Sequence, residues 1–483
     1  MQNKRLRSGV PGLDTILHGG FLSKNAYLIR GGPGTGKTTF GLHFLLAGIS
    51  EGETSLMITL GEPEINLRRN AQALGFDLTN IHFLDLSPSS EFFAKVESYD
   101  IFSPAEVERE PVTQQIVETI QEIQPTRVFV DSMTQFRYLA TDAFQFRKQT
   151  QSFLRFLLEN GATVLFTSES SPEAPDEDLQ FLADGVIHLD YAPIGRTITL
   201  TKYRGSDFEH GEHTFEITST GIVVYPQLTP KATPRAFPDT LISSGVPEID
   251  ELLHGGLGAG TVTLITGPSG TGKTTLGTAF IKEAAGRGEY SLLYTFEESI
   301  EMLARRSESI NIPIPAMIDK GMLTVRAIEP LNYGPNEFAA LVASDVAEHD
   351  ARLVMIDSTS GYRLAIRGEE TALLTHIHSL CKHLSNMGIS VILIHEITKV
   401  TGEFQITEFG ISYLADNVIF LRYLEIEGQL RKAIGVLKKR HGDFEKTLRE
   451  MEITRYGIKV GEPLTRLRGI LSGTPEWVQQ DAK

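Results

Sequence analysis

What this sequence is short of narrows its identity before any motif is read. One cysteine, Cys381, stands among 483 residues, so no intrachain disulfide can form. A small disulfide-stapled secreted scaffold is thereby excluded, and a cytoplasmic location is the expectation. No stretch approaches the roughly 18 consecutive apolar residues that a membrane helix requires, and the basic start MQNKRLRSG has no apolar segment behind it. Neither a membrane anchor nor a signal peptide is expected. Positive charge is scarce, with 45 Lys and Arg against 61 Asp and Glu and a net charge of −16. That balance removes the broad basic footprint on which most nucleic-acid binding depends. Low-complexity repeats are absent too, so collagen-like and linker-dominated chains are ruled out. What is present, 41% hydrophobic and 22% charged residues, is the composition of globular proteins and suffices for two or three packed domains.

The chain is a tandem repeat. SGVPGLDTILHGGF at 8–21 returns as SGVPEIDELLHGGL at 244–257, an offset of 236 residues, and GGPGTGKTT from Gly31 returns as GPSGTGKTT from Gly267 at that offset. A period this long describes whole domains, not solenoid units. Between the copies, Pro226, Pro230, Pro234 and Pro238 deny the chain helix and sheet hydrogen bonds. The expected organisation is a domain over 1–225, a Pro-rich linker over 226–240, a second domain over 241–470 and a short tail over 471–483. Within each copy, short Val/Ile/Leu-rich runs such as RVFVDS, ATVLFTS, RLVMIDS and SVILIHE alternate with longer amphipathic stretches. This is a βα rhythm, and it predicts α/β architecture with a mostly parallel sheet flanked by helices, finished by antiparallel strands.

Both GKTT segments follow a strand and open a helix, the context in which a GxxxxGK[ST] loop holds a nucleoside triphosphate through backbone N–H groups and a lysine. The expected ATP-binding residues are Gly31, Gly34, Thr35, Gly36, Lys37, Thr38 and Thr39, with Gly267, Gly270, Thr271, Gly272, Lys273, Thr274 and Thr275 in the second copy. Thr38 and Thr274, with the strand-end acids Asp131 and Asp357, are the expected Mg²⁺ ligands. Cleavage also needs a carboxylate near the γ-phosphate. TFEES offers Glu297 and Glu298 at the end of the next strand, whereas TLGEP in the first copy offers Gly61 and Glu62. The first copy has lost one acid of the pair, so hydrolysis there is expected to be slower or to rest on Glu62. Lys202 and Arg204 repeat as Lys438 and Arg440. Cations at duplicated positions are read as reaching a γ-phosphate across a subunit boundary.

GGPGTGKTT, TFEES, VDS and IDS, KYRG and LKKR, and above all YLEIEGQLRKAIGVLKKRHGDFEKTLREMEIT resemble the KaiC family of circadian-clock ATPases, nearly end to end. The resemblance implies tandem RecA-like domains in a double-tiered homohexamer that binds ATP at subunit interfaces. It also implies ATPase activity in the N-terminal tier, autokinase and autophosphatase activity in the C-terminal tier, and a role in signalling or timing. The family's catalytic glutamates fall on Glu297 and Glu298, and its adjacent phosphorylated serine and threonine on Ser412 and Tyr413. Ser412 is therefore the expected phosphoacceptor, with Thr407 a secondary one, and Tyr413 argues against alternating two-site phosphorylation. A KaiA-type partner is not expected, since the chain stops at Lys483 without the longer tail such a partner grips. A KaiB-type partner is left open.

Other signals are discounted. HIHSLCKH lacks a pair of ligands at i, i+4, and HEITK replaces the second histidine of a zinc helix with Lys399. GGLGAG precedes its strand and so is no dinucleotide fingerprint. No HRDxxxxN motif of ordinary protein kinases occurs, so kinase activity must come from the RecA-like site. Two rivals stand beside the autokinase: a nucleotide-switched scaffold ATPase, and a DNA-recombinase-like ATPase that the net charge disfavours.

Overall fold

The computed structural model describes residues 4–88, 109–138, 140, 142–169, 175–192, 195–230, 240–365, 370–397, 411–469 and 476–477. Linker residues 231–239, Thr407, Lys399 and nearly all of the expected tail lie outside them. The chain divides into two compact units, Met1–Gln227 and Leu228–Lys483.

Unit 1 is built on a nine-stranded sheet. Its spatial order runs Gly221–Tyr225, His213–Thr218, Gly195–Tyr203, Gly185–Ala192, Ala26–Gly31, Thr163–Glu169, Arg127–Asp131, Ser55–Thr59, His82–Asp85. From Gly185–Ala192 to the His82–Asp85 edge every pairing is parallel. The other three strands close the sheet antiparallel. Unit 2 repeats this order with Val262–Gly267 at the centre, between Ser390–Glu396 and Asn417–Ile426, and antiparallel strands Gln429–Lys439, Arg449–Thr454 and Gly457–Pro463 at the far edge. Two tandem α/β domains with mostly parallel sheets are therefore present, as the βα rhythm predicts, in the RecA-like form that the family resemblance implies.

The continuous apolar runs are explained by burial on both faces. In Arg127–Asp131, Phe129 packs into the layer that holds Phe40 and Phe44, while Val128 and Val130 face the layer that holds Phe146 and Leu154. The strand Ser55–Thr59 is buried at every position, as is Ser291–Thr295. Fully burying each large aliphatic side chain contributes about 1.5–3 kcal/mol, so an alternating polar pattern would forfeit one core layer.

Each phosphate loop leads into a loop helix, Lys37–Ser50 in unit 1 and Lys273–Gly286 in unit 2. Close approach of helix to sheet depends on small residues. A Cβ at Gly41 would lie 2.1 Å from Cζ of the buried Phe129 ring, so glycine is what lets this helix rest on its strand. Among the described residues, no helix is long and apolar enough to cross a membrane.

Candidate functional site

The parallel strands set where chemistry can occur, because their carboxyl ends all open at one edge of the sheet. Gly31 and Gly267 are the last residues of the central strands. Gly34 and Gly270 lie in the loops beyond them, and Gly36 and Gly272 cap the loop helices. Gly36 has φ 101 and Gly272 φ 104, in the left-handed region, and a Cβ there would strike Ile217 Cδ1 at 3.0 Å or Ile453 Cδ1 at 2.5 Å. The loop is thus compressed against the antiparallel edge and holds its amides at a helix N-terminus, where they favour phosphate oxygens. The Thr35 and Thr271 hydroxyls brace the turn by donating to the Gly32 and Pro268 carbonyls at 2.9 and 2.8 Å. Thr39 and Thr275 continue the helix, Thr275 buried.

Lys37 Nζ donates to the Gly31 and Gly32 carbonyls, and Lys273 Nζ to Pro268 O, each at 2.8 Å. Both ammonium groups sit in the mouth of their loop. Burial lowers the pKa of each; Asp131 and Glu169 oppose this at Lys37, and Glu396, Asp357 and Glu297 at Lys273. Thr38 Oγ1 donates to Asp131 Oδ2 at 2.7 Å and Thr274 Oγ1 to Asp357 Oδ2 at 2.6 Å. Asp131 also accepts from Thr167 Oγ1 at 2.5 Å. Burial, reinforced by Glu297, pushes the Asp357 carboxyl up to about 6. One hydroxyl and one carboxylate per unit fit a Mg²⁺ that arrives with phosphates and keeps several of its waters.

In unit 2 these groups line a cavity of about 360 Å³ that includes Gly270, Lys273, Thr274, Glu297, Asp357 and Glu396. Glu297 and Glu298 part company here. Glu297 faces the cavity and accepts a hydrogen bond from Ser358 Oγ, whereas Glu298 is held in a two-point pair with Arg306, 2.7 Å at its shorter contact. In unit 1, Glu62 follows Glu298: its Oε1 accepts from Asn70 Nδ2 at 2.9 Å.

Of the duplicated cations, Lys438 donates to the carbonyls of Ser412 and Ala415 at 3.3 and 2.6 Å, and Arg440 to Tyr413 O and Asp416 at 3.2 and 3.1 Å. Lys202 donates to Gln180 O at 2.9 Å, and Arg204 contacts Asp184 at 3.5 Å. None of Lys438, Arg440 and Ser412 lines the cavity at its own unit's phosphate loop. Ser412 is half-buried in a short 3₁₀ turn, Ile411–Tyr413.

Motif reading overlooks Glu396, Ser358 and Arg306. Glu396 ends the HEITK strand, which is tested as a zinc helix and set aside although its acid closes the cavity. Ser358 is legible only as the last letter of IDS. Arg306 lies on the helix after TFEES, eight residues beyond its partner Glu298, with no spacing rule to flag it.

A family model described as "ATPase: KaiC" matches the chain twice, at 6–229 and 242–465. The chain is 29% identical to the circadian clock oscillator protein KaiC of Parasynechococcus marenigrum (strain WH8102), covering 100% of this chain and 95% of that protein. It is 30% identical to the protein of that name from Picosynechococcus sp., over 99% of this chain and 94% of the relative. The namesake from Synechococcus elongatus is 29% identical, over 99% and 93%.

Proposed function

The chain belongs to the KaiC ATPase family, and from that premise we propose that it binds Mg·ATP in both units, hydrolyses it, and phosphorylates its own Ser412 within a homohexameric ring that serves signalling or timing. The observation that carries the reading is the convergence of Lys273, Thr274, Asp357 and Glu297 on one cavity. Lys273 neutralises phosphate charge, Thr274 and Asp357 hold the metal, and Glu297 is the one cavity-facing acid of the TFEES pair. Mg²⁺, when bound, supplies charge neutralisation across the β- and γ-phosphates.

Glu297 takes the proton of the Ser412 hydroxyl as the serine oxygen bonds to the γ-phosphorus. The bond from that phosphorus to the bridging oxygen breaks, and ADP departs with the electron pair. With water in place of serine the balance is the same and the product is free phosphate. Ser412 comes from a neighbouring subunit in this proposal, a reading supported by its absence from the cavity of its own unit. The carbonyls of Ser412 and Tyr413 are bound by Lys438 and Arg440. Acceptor and cations therefore form one module that can be offered to a neighbour's phosphates together.

Intact-mass and peptide spectrometry after incubation with Mg·ATP tests this, run beside Glu297→Gln. The expected result is one phosphate on Ser412 in the parent, with the rate down by about 100-fold or more in the variant. ATP consumption with no phosphate on either protein would overturn the autokinase in favour of the scaffold ATPase.

A further inference from the structure

The reading that unit 1 hydrolyses ATP leaves open what acts there in place of Glu297, and the inference drawn here rests on that reading. Gly61 occupies the corresponding strand-end position. Its φ is not positive, so the backbone does not demand glycine, and a Cβ there would meet a single group, Gln135 Nε2, at an ordinary contact of 3.7 Å. Gln135 opens the helix Gln135–Tyr138, four residues after Asp131. Four residues after Asp357, unit 2 has Gly361, where a Cβ would fall 2.3 Å from Phe296 Cβ. Unit 2 thus has an acid on the strand and no side chain on the helix, while unit 1 has no side chain on the strand and a carboxamide on the helix. Gln135 is half-buried, and its carboxamide has no hydrogen-bond partner among the described residues. Glu62, the remaining acid of the TLGEP segment, is engaged by Asn70.

We propose that Gln135 positions the water that attacks the γ-phosphate in unit 1. The carboxamide oxygen accepts a hydrogen bond from the water and its N–H donates toward a γ-phosphate oxygen, which aims the nucleophile in line. The water oxygen bonds to phosphorus as the bond to the bridging oxygen breaks, and ADP leaves with the electron pair. A carboxamide keeps no proton, so the water proton passes to the product phosphate or to solvent. Unit 1 therefore works by orientation without a general base, which makes it slow and its rate insensitive to pH where a carboxylate would titrate.

Phosphate release from Mg·ATP, measured from pH 5 to 8 on the full chain carrying Lys273→Ala, isolates unit 1, and a fluorescent ATP analogue follows binding. Adding Gln135→Ala is expected to lower kcat by about 100-fold with KM for ATP unchanged. Gln135→Asn, which keeps the amide but loses one methylene of reach, should fall nearly as far. Gly61→Glu placed on the Gln135→Ala chain should restore turnover and introduce an acid limb in the pH profile. Hydrolysis by Gln135→Ala at the parent rate would overturn the role of Gln135 and leave unit 1 an ATPase. Failure of Gly61→Glu to restore turnover while nucleotide still binds would show that Gln135→Ala acts through the helix alone, and would also overturn it. A Lys273→Ala chain that binds nucleotide in unit 1 and releases no phosphate would remove hydrolysis from unit 1, and this proposal with it.

Discussion

His43 lies on the loop helix of unit 1, with its Nε2 accepting the Ile222 amide at 2.8 Å and its ring edge-on to Phe76. Burial holds its pKa below the ordinary histidine value, with a smaller opposing contribution from the Gly9 carbonyl. The sign follows directly: as pH falls below about 6.5 the unfolded chain takes up a proton that folded His43 refuses, so unit 1 loses stability until the folded-state value is passed. His213, also buried and also lowered, acts in the same direction. His43→Gln keeps an acceptor for the Ile222 amide and removes one titration. The drop in hydrogen-exchange protection across Gly221–Tyr225 between pH 7.5 and 5.5 should therefore be smaller in the variant; an equal drop would show that His43 is not its source. At this scale the sequence was legible where a residue belongs to a dense motif, as Lys37, Thr38, Lys273 and Thr274 do. It was opaque where function depends on what lies across from a residue. Gly61 is visible as a missing acid, but Gln135 answers it from 74 positions away in the chain, on a helix that no motif marks.

Among the elements, the two loop helices test the packing argument against each other. Gly41 and Gly277 are equivalent, yet a Cβ at Gly41 meets the Phe129 ring at 2.1–2.3 Å, whereas at Gly277 it meets the thioether of Met355 at 2.7 Å. A buried ring has nowhere to turn, while methionine has spare rotamers. Gly41→Ala is expected to destabilise unit 1 by about 1–3 kcal/mol through overpacking. Gly277→Ala should cost distinctly less, since alanine's helix preference of about 1 kcal/mol offsets part of the strain. Thermal unfolding of the two variants checks the ranking, and Phe129→Leu should relieve the Gly41→Ala defect alone. Strands and their mostly parallel pairing were readable because two-sided burial leaves runs such as VMID and VILI that only a covered parallel sheet explains; the order of the strands across each sheet was not. The division of labour between Glu297 and Glu298 was not readable, because it is set by Arg306 and Ser358 on the elements that follow.

The whole molecule is two copies of one fold that have drifted apart in matched steps. Arg127, fully buried in unit 1, donates to Glu53 at 2.6 Å, Glu51 at 2.8 Å and the Arg7 carbonyl at 2.7 Å. Its stem fills the space that Gly48 leaves, where a Cβ would lie 2.6 Å from Arg127 Cδ. In unit 2 the same two places hold Leu353 and Ala284, both buried. Arg127→Leu alone should cost about 3–5 kcal/mol, because two carboxylates lose the charge they surround. Adding Gly48→Ala should then cost less than it does in the parent, and a double-mutant cycle by urea unfolding with coupling near zero would refute the pairing.

That pairing bears on how the chain avoids entanglement with itself during synthesis. Tandem copies emerging in succession are prone to exchange equivalent segments and trap misassembled forms. A loop helix from unit 2 that docked on the sheet of unit 1 would drive the Ala284 methyl into the Arg127 stem. In the opposite exchange, Gly48 would leave a void beside Leu353. The fully buried Arg127 is thus expected to admit its own helix and turn away its twin, and removing it should show first as aggregation on refolding and only later as lost activity.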